Sequence, residues 1–309
     1  MFDITGKKSW FFLISAVVIL IGIISLASFG RLQGGIEFSS GSMMSVDFEQ
    51  DVSSSELKAE LANLGYNNAI VQSVEGGNFY IRTDKLSDEK KAALEAALEA
   101  KLGNLEETEF HSVSPMVATE TANNAIIAIA IAAIGILLYV TWAFHRMPKP
   151  FAYGTCAVIA LVHDALVVLG IFSIFSALWD WEINLMFITG ILAVIGYSVN
   201  NTVVIFDRIR ENQTRGINPD FEVVVNSSLV ETIGRSLNTS VTTFFVVIAL
   251  LLFVGASIMN FAVVLLIGIV VGTYSSICIA PQLLLVWEKG EWGKILPSLR
   301  SAPAKTKGG

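Results

Sequence analysis

Six stretches of this chain, at residues 10–27, 125–144, 151–175, 183–206, 237–254 and 261–287, are long and apolar enough to cross a lipid bilayer. Each reaches or approaches the roughly 20 residues a helix needs to span the hydrocarbon core. Of the 309 residues, 53% are hydrophobic and only 15% are charged. A soluble domain carries about 25% charged residues. The expected fold is therefore a polytopic α-helical membrane protein with six transmembrane helices.

Lys7 and Lys8 precede the first run, and Ser25-Leu26-Ala27 resembles a signal-peptide cleavage site. The apolar core exceeds the ~7–15 residues of a signal sequence, so an uncleaved anchor is the better reading. Six crossings put both termini on one side. Lys7, Lys8, Arg146, Lys149, Arg208, Arg210, Arg215, Arg235, Lys289, Lys294, Arg300, Lys305 and Lys307 fall there, while the opposite short loops at 177–182 and 255–260 carry no basic residue. Basic residues stay inside, so both termini are expected in the cytoplasm. The domain boundaries follow: 1–30 the N-terminus and first crossing, 31–119 an extracytoplasmic domain, 120–288 crossings two to six, and 289–309 a cytoplasmic tail.

Residues 31–120 hold 7 basic and 16 acidic side chains, a balance of −9 against −7 for the whole chain. An acidic surface disfavours nucleic acid; it is expected to be solvated, with at most a preference for basic or unfolded polypeptide. Residues 43–48 alternate apolar and polar at a strand period. Ser53-x-x-Glu56 is a capping box opening a helix to about Leu64. Strands at 69–74 and 78–82 flank Glu75-Gly76-Gly77, a hairpin spacing. Ser87 can cap a helix over 88–102 that Gly103 ends, and 108–113 offers a last strand. The order βαββαβ predicts a small α+β, ferredoxin-like domain, a fold that does not by itself specify a function.

Cys156 and Cys278 both fall inside apolar runs, so no disulfide framework or metal-ligand spacing exists and they read as packing residues. No Walker loop, nucleophile–base pair or metal cluster is apparent, so no enzyme activity and no tightly bound cofactor is expected. The polar groups inside the crossings carry the functional information. His163 and Asp164 sit mid-helix in the third, either as a hydrogen bond to a neighbouring helix or as part of a proton or cation relay. In the fourth, Asn200 shares a face with Asp207 and Asn201 with Arg208. Asp207 with Arg210, and Arg208 with Glu211, have i,i+3 spacing and form a collar at the cytoplasmic edge. In the fifth, Arg235, Asn238, Thr239 and Thr242 recur along one stripe, with Ser236, Ser240 and Thr243 beside it. Such a stripe is a helix-packing surface or a hydrated path in which Arg235 finds acceptors such as Asp164 or the asparagines. Gly268-x-x-x-Gly272, followed by Ser275 and Ser276, lets the sixth helix approach another closely, in this chain or in a partner subunit.

Five separated segments, in order, resemble the SecF family of protein-export membrane proteins. GYSVNNTVVIFDRIREN at 196–212 is similar to the family's fourth-helix signature. GIEFSSG at 35–41 resembles its G-[LI]-[DE]-F-x-G-G stretch, with Ser40 at a usual glycine. VSPMV at 113–117, VHD at 162–164 and RSLNTSVTT at 235–243 resemble its V-G-P-x-V, A-x-H-D and R-T-x-x-T-S-x-T-T stretches. The resemblance covers nearly the whole chain. It implies one half of an RND-type transporter in the bacterial cytoplasmic (inner) membrane, paired with SecD and assisting the SecYEG channel, with YajC and YidC as further partners. It also implies use of a proton or sodium gradient to draw unfolded polypeptide outward, with Asp164, Asn201, Arg235 and His163 near the ion route and Asn200 bracing a helix interface. One departure matters: the family usually has Asn-Asp where this chain has Asn200-Asn201, and an amide does not exchange a proton near neutral pH. Another carboxylate, a sodium ion or a non-conducting role would each account for it. The rival readings are a Sec scaffold that moves no ion and an RND-type half-transporter for small molecules or lipids; an outer region this small argues against a porter pocket.

Overall fold

The computed structural model describes residues 3–28, 34–73, 78–179, 181–253 and 256–292. The expected turn at 75–77, Arg31 and the tail beyond Trp292 lie outside the described residues. In chain order the elements are α1 (Lys8–Ser28), α2 (Ile36–Ser39), β1 (Gly41–Phe48), α3 (Ser54–Asn63), β2 (Ile70–Ser73), β3 (Asn78–Thr83), α4 (Asp88–Leu102), β4 (Leu105–Val113), α5 (Pro115–Ala143), α6 (Pro150–Trp179), α7 (Leu185–Thr214), α8 (Phe221–Phe253), α9 (Ala256–Cys278) and α10 (Ala280–Lys289).

Six helical segments among the described residues are long and apolar enough to cross a membrane. They divide by burial. About half of α6, of α7 and of the α9–α10 segment is covered by the rest of the chain, against 6% of α5. Glycines set the closest approaches. A Cβ at Gly22 of α1 would lie 2.8 Å from the Gly170 Cα of α6, and one at Gly268 of α9 would lie 2.0 Å from Val194 Cγ2 of α7. Lipid tails are as apolar as leucine, so such helices hold together by close packing and interhelical hydrogen bonds. The Gly268-x-x-x-Gly272 surface is thus used inside the chain, against α7.

The four strands form an antiparallel sheet in the order β2-β3-β1-β4. Ser53 and Glu56 close the capping box on α3, and the Ser87 hydroxyl caps α4. Met44, Val46, Leu57, Leu61, Ile81 and Leu98 bury the helix-covered face, each contributing about 1.5–3 kcal/mol relative to exposure. The arrangement is the ferredoxin-like one. Its bare face turns toward the bundle: Arg82 of β3 pairs with Glu182 at 2.7 Å, and ahead of β1 the Gly35 amide donates to the Ile183 carbonyl at 2.8 Å, while Asn260 Nδ2 of α9 fixes the same connection by donating to the Glu182 carbonyl at 2.9 Å. At the opposite end, Lys8 pairs with Glu291 at 3.1 Å and the Ile4 amide donates to Asn226 Oδ1.

Two boundaries differ from the sequence expectation, and one short element is additional to it. The sheet domain ends at Val113, not 119, because Ser114 caps α5 and Pro115 opens it. The fifth crossing's helix begins at Phe221, not 237. Glu222 and Glu231 lower the hydropathy of that first stretch, yet Val224, Val225 and Leu229 are fully packed and keep it helical. The short α2 was not anticipated. It ends at Ser40, whose φ of 62° and ψ of 169° lie in a region that is essentially glycine-only. Glycine would adopt that geometry without strain.

Candidate functional site

The polar groups of the bundle fall into two sets. The first closes on itself. α1 and α6 run side by side in a constant register, so Ser15, Gly22 and Ser25 face His163, Gly170 and Ser173. On the other side of α6, the glycine-mediated approach of α9 to α7 leaves only 3.0 Å between a Cβ at Gly272 and the Ser198 Cβ. Two serines of these helices then reach the same acid. Ser198 Oγ donates to Asp164 Oδ2 at 2.5 Å and Ser275 Oγ donates to the same oxygen at 2.8 Å. His163 Nδ1 lies 3.0 Å from Asp164 Oδ1, and its Nε2 lies 2.9 Å from Ser15 Oγ. Ser15 also reaches Tyr274 Oη at 3.3 Å, and Tyr274 donates to the Phe11 carbonyl at 2.9 Å. Asp164 is 1% exposed. Apolar clusters flank the knot, one around Phe144, Tyr153 and Phe206 and the other around Phe172, Phe187 and Val194.

The second set lies on α8 and divides by face. Ser236 and Ser240 point inward. Tyr197 Oη of α7 donates to Ser240 Oγ at 2.9 Å, and Thr273 Oγ1 of α9 donates to the same oxygen at 2.6 Å. One turn along these antiparallel helices, Asn201 Nδ2 and Ser236 Oγ are buried without a protein hydrogen-bond partner among the described residues. Arg235, Asn238, Thr239 and Thr242 point outward and are exposed. Thr239 and Thr242 turn their hydroxyls back onto the carbonyls of Arg235 and Asn238, both at 3.0 Å. The side chains of Arg235 and Asn238 make no ion pair or hydrogen bond with any described residue.

Two expectations are corrected here. Arg235 is not buried and does not meet Asp164 or the asparagines; it heads the outer face of α8 because Ser236, one position on, takes the inward one. Asn200 does not brace an interface among the described residues: it is exposed, while Asn201, a helical step of about 100° further round, is buried. His163 and Asp164 are brought together; Asn201 and Arg235 stay apart from them.

At the end that carries the termini, Arg210 pairs with Asp207, and Arg208 pairs with Glu211 and with Glu231 of α8. Asn212 Nδ2 donates to Glu231 Oε2 at 2.9 Å and to Ser228 Oγ at 3.0 Å. The collar therefore ties α7 to α8. Glu231 and Asn212 were missed, since nothing in their spacing within one helix points across to the other. Ser15 was legible in principle: Ser15, Gly22 and Ser25 are the buried residues of α1 and recur near the helical period.

At the other end, a cleft of about 860 Å³ separates the bare face of the sheet from the bundle. Met43, Ile70 and Tyr80 line one wall, Met186, Leu251 and Met259 the other, and Glu37, Glu109 and Glu182 bring acid to it.

Residues 93–290 match the family described as protein export membrane protein SecD/SecF, C-terminal. The chain is 43% identical to the protein translocase subunit SecF of Thermobaculum terrenum, covering 99% of this chain and 100% of that protein. It is 36% identical to the protein translocase subunit SecDF of Bacillus subtilis over 94% of its own length and 39% of that protein. The crystal structure of SecDF from Thermus thermophilus, a translocon-associated membrane protein, superposes with a TM-score of 0.83 at 28% identity, covering 93% of this chain and 39% of that one.

Proposed function

The chain belongs to the SecD/SecF family of protein-export membrane proteins, and from that premise we propose that it is the ion-coupled SecF half of a SecD–SecF pair that helps to draw polypeptide out through the SecYEG channel. The observation that carries the reading is the outward stripe of α8. Arginine, asparagine and threonine are costly against lipid, so four such side chains exposed on one helix of the bundle call for a protein surface. In the SecDF proteins of Bacillus subtilis and Thermus thermophilus the matching region is 39% of a longer chain, which supplies such a surface in the same molecule. We assign SecD to the stripe on that ground. The excess of basic residues on the loops and segments of one end supports assigning that end to the cytoplasm, with the sheet domain outside.

An ion enters the account through what Asn201 is not. A neutral amide passes no proton, so we assign that role to the buried His163–Asp164 pair. Sodium, which an amide oxygen can coordinate, is the competing ion. The cleft under the sheet suits an extended polypeptide: its methionines adapt to varied side chains, and its glutamates favour basic ones. A scaffold that moves no ion remains the second reading, favoured by the amide at 201.

The test is precursor maturation in cells depleted of their own SecF, supplied with this chain and its cognate SecD at low and high sodium. Clearance of precursors that Arg235→Ala abolishes, with assembly intact, supports the reading. Sodium dependence that Asn201→Asp removes identifies the ion as sodium. Clearance that survives collapse of both gradients leaves the scaffold.

A further inference from the structure

We propose that His163 and Asp164 form a buried proton-holding site, carrying one proton more than a neutral imidazole and a carboxylate, and that its occupancy switches the Ser15 hydroxyl of α1 between Tyr274 and the imidazole. This deepens the ion-coupled reading and rests on it for its purpose, though not for its chemistry.

Charge is the first ground. From α1 the pair faces Ser15, from α7 Ser198, and from α9 Ser275 and Tyr274; of these only tyrosine titrates. α5 and α10 also pack on α6, but no Lys or Arg among the described residues pairs with Asp164, and Glu288 of α10 is held by Lys149 at 3.1 Å, away from the pair. A carboxylate 1% exposed inside a membrane bundle, with hydroxyl donors but no cation, carries an uncompensated charge. Adding one proton to the pair makes it neutral as a unit, whether the proton sits on Nδ1 or on Oδ1.

The hydrogen inventory is the second ground, and it is independent. Tyr274 has one proton and gives it to the Phe11 carbonyl. Ser15 has one proton, and the Tyr274 oxygen takes it. The contact between His163 Nε2 and Ser15 Oγ then needs its proton from Nε2. The contact between Nδ1 and Oδ1 needs another. Two protons on the pair satisfy every contact in the chain. With one, the imidazole keeps Nδ1–H for Asp164, bare Nε2 accepts from Ser15, and Ser15 must leave Tyr274.

Release of the proton to water breaks one N–H bond, moves no electrons between groups and leaves the pair at −1. The Ser15–Tyr274 contact between α1 and α9 is lost in that step. Because α1 leads into the outer domain, proton occupancy and the seating of α1 become linked.

The test is ¹⁵N nuclear magnetic resonance of the full chain in lipid nanodiscs, with the two exposed histidines replaced (His111→Gln, His145→Gln) so that His163 is the single imidazole. We expect a proton on Nε2, and, where the shared proton sits on Oδ1, an infrared carboxylic band that Asp164→Asn removes. A bare Nε2 at neutral pH overturns the proposal, whatever export shows. A protonated Nε2 combined with export that ignores both ion gradients leaves the site standing and sinks the coupling it was meant to serve.

Discussion

The knot around Asp164 and the stripe on α8 are made from the same materials, a charged residue with serines, threonines and a ring or an amide, yet one is shut and the other open. Around Asp164 every polar atom meets another, because α1, α7 and α9 each bring a serine to α6 at glycine-permitted distances. On α8 the side chains of Arg235 and Asn238 make no ion pair or hydrogen bond among the described residues, and Thr239 and Thr242 bond to carbonyls of their own helix. The difference teaches that polarity inside a membrane span does not reveal its purpose until its partners are counted. A closed set stabilises the half; an open set asks for a second molecule.

The comparison breaks most readily at the glycines. Gly268→Leu drives a side chain into Val194 and should cost about 3 kcal/mol of chain stability, read as a lower thermal unfolding midpoint in detergent. Gly196 has nothing within 4 Å of a Cβ, so Gly196→Ala should change sign and add up to about 1 kcal/mol from helix propensity. Equal losses at both positions would mean that the two surfaces are not different. Next comes Arg235→Ala: stability of the isolated chain should stay within about 0.5 kcal/mol, while the rate of precursor export falls about tenfold or more, equivalent to ~1.4 kcal/mol. An unfolding midpoint that drops with export would place Arg235 among the structural residues.

Two smaller changes in the outer domain act far from both regions and calibrate them. Ser40→Gly should relieve a backbone conformation costing about 1–3 kcal/mol, offset in part by the freedom glycine gains when unfolded; a net gain near 1 kcal/mol would appear in chemical denaturation. Burial, reinforced by the hydrogen bond that the Glu95 carboxyl donates to the Glu107 carboxylate, pushes Glu95 up to about 7 from 4.5. Between those values the folded domain binds more protons than the unfolded chain, so this contribution is fully present below 4.5 and is lost as pH rises through 7. The effect is on the order of 1 kcal/mol after solvent screening. Glu95→Gln should flatten the profile over that window.

Much of this was readable beforehand. Length and hydropathy define six crossings, and the caps at Ser53 and Ser87 with Gly103 define the helices of the outer domain, because those signals are local. His163 and Asp164 stood out because charge at that depth is rare. What the chain does not state locally is which way a polar stripe turns. Arg235 and Ser236 are neighbours in sequence but face opposite environments, and Asn200 and Asn201 do the same. The partners of the His163–Asp164 pair come from helices 34 to 148 residues away in sequence and are fixed by glycine contacts between helices. Ser40 was noticed only as a departure; its positive φ gives the reason.

Docking of SecD on the α8 stripe, as proposed, would bury side chains that are exposed in the isolated chain. The most direct test places a spin label at Thr242→Cys, in a background with Cys156 and Cys278 replaced by alanine, and measures its accessibility to a lipid-soluble relaxant with and without SecD. A matching label at Ile126→Cys on the exposed face of α5 serves as control. The account predicts that SecD shields position 242 and leaves 126 unchanged. Position 242 remaining as lipid-accessible in the assembled pair as in the isolated chain would contradict it.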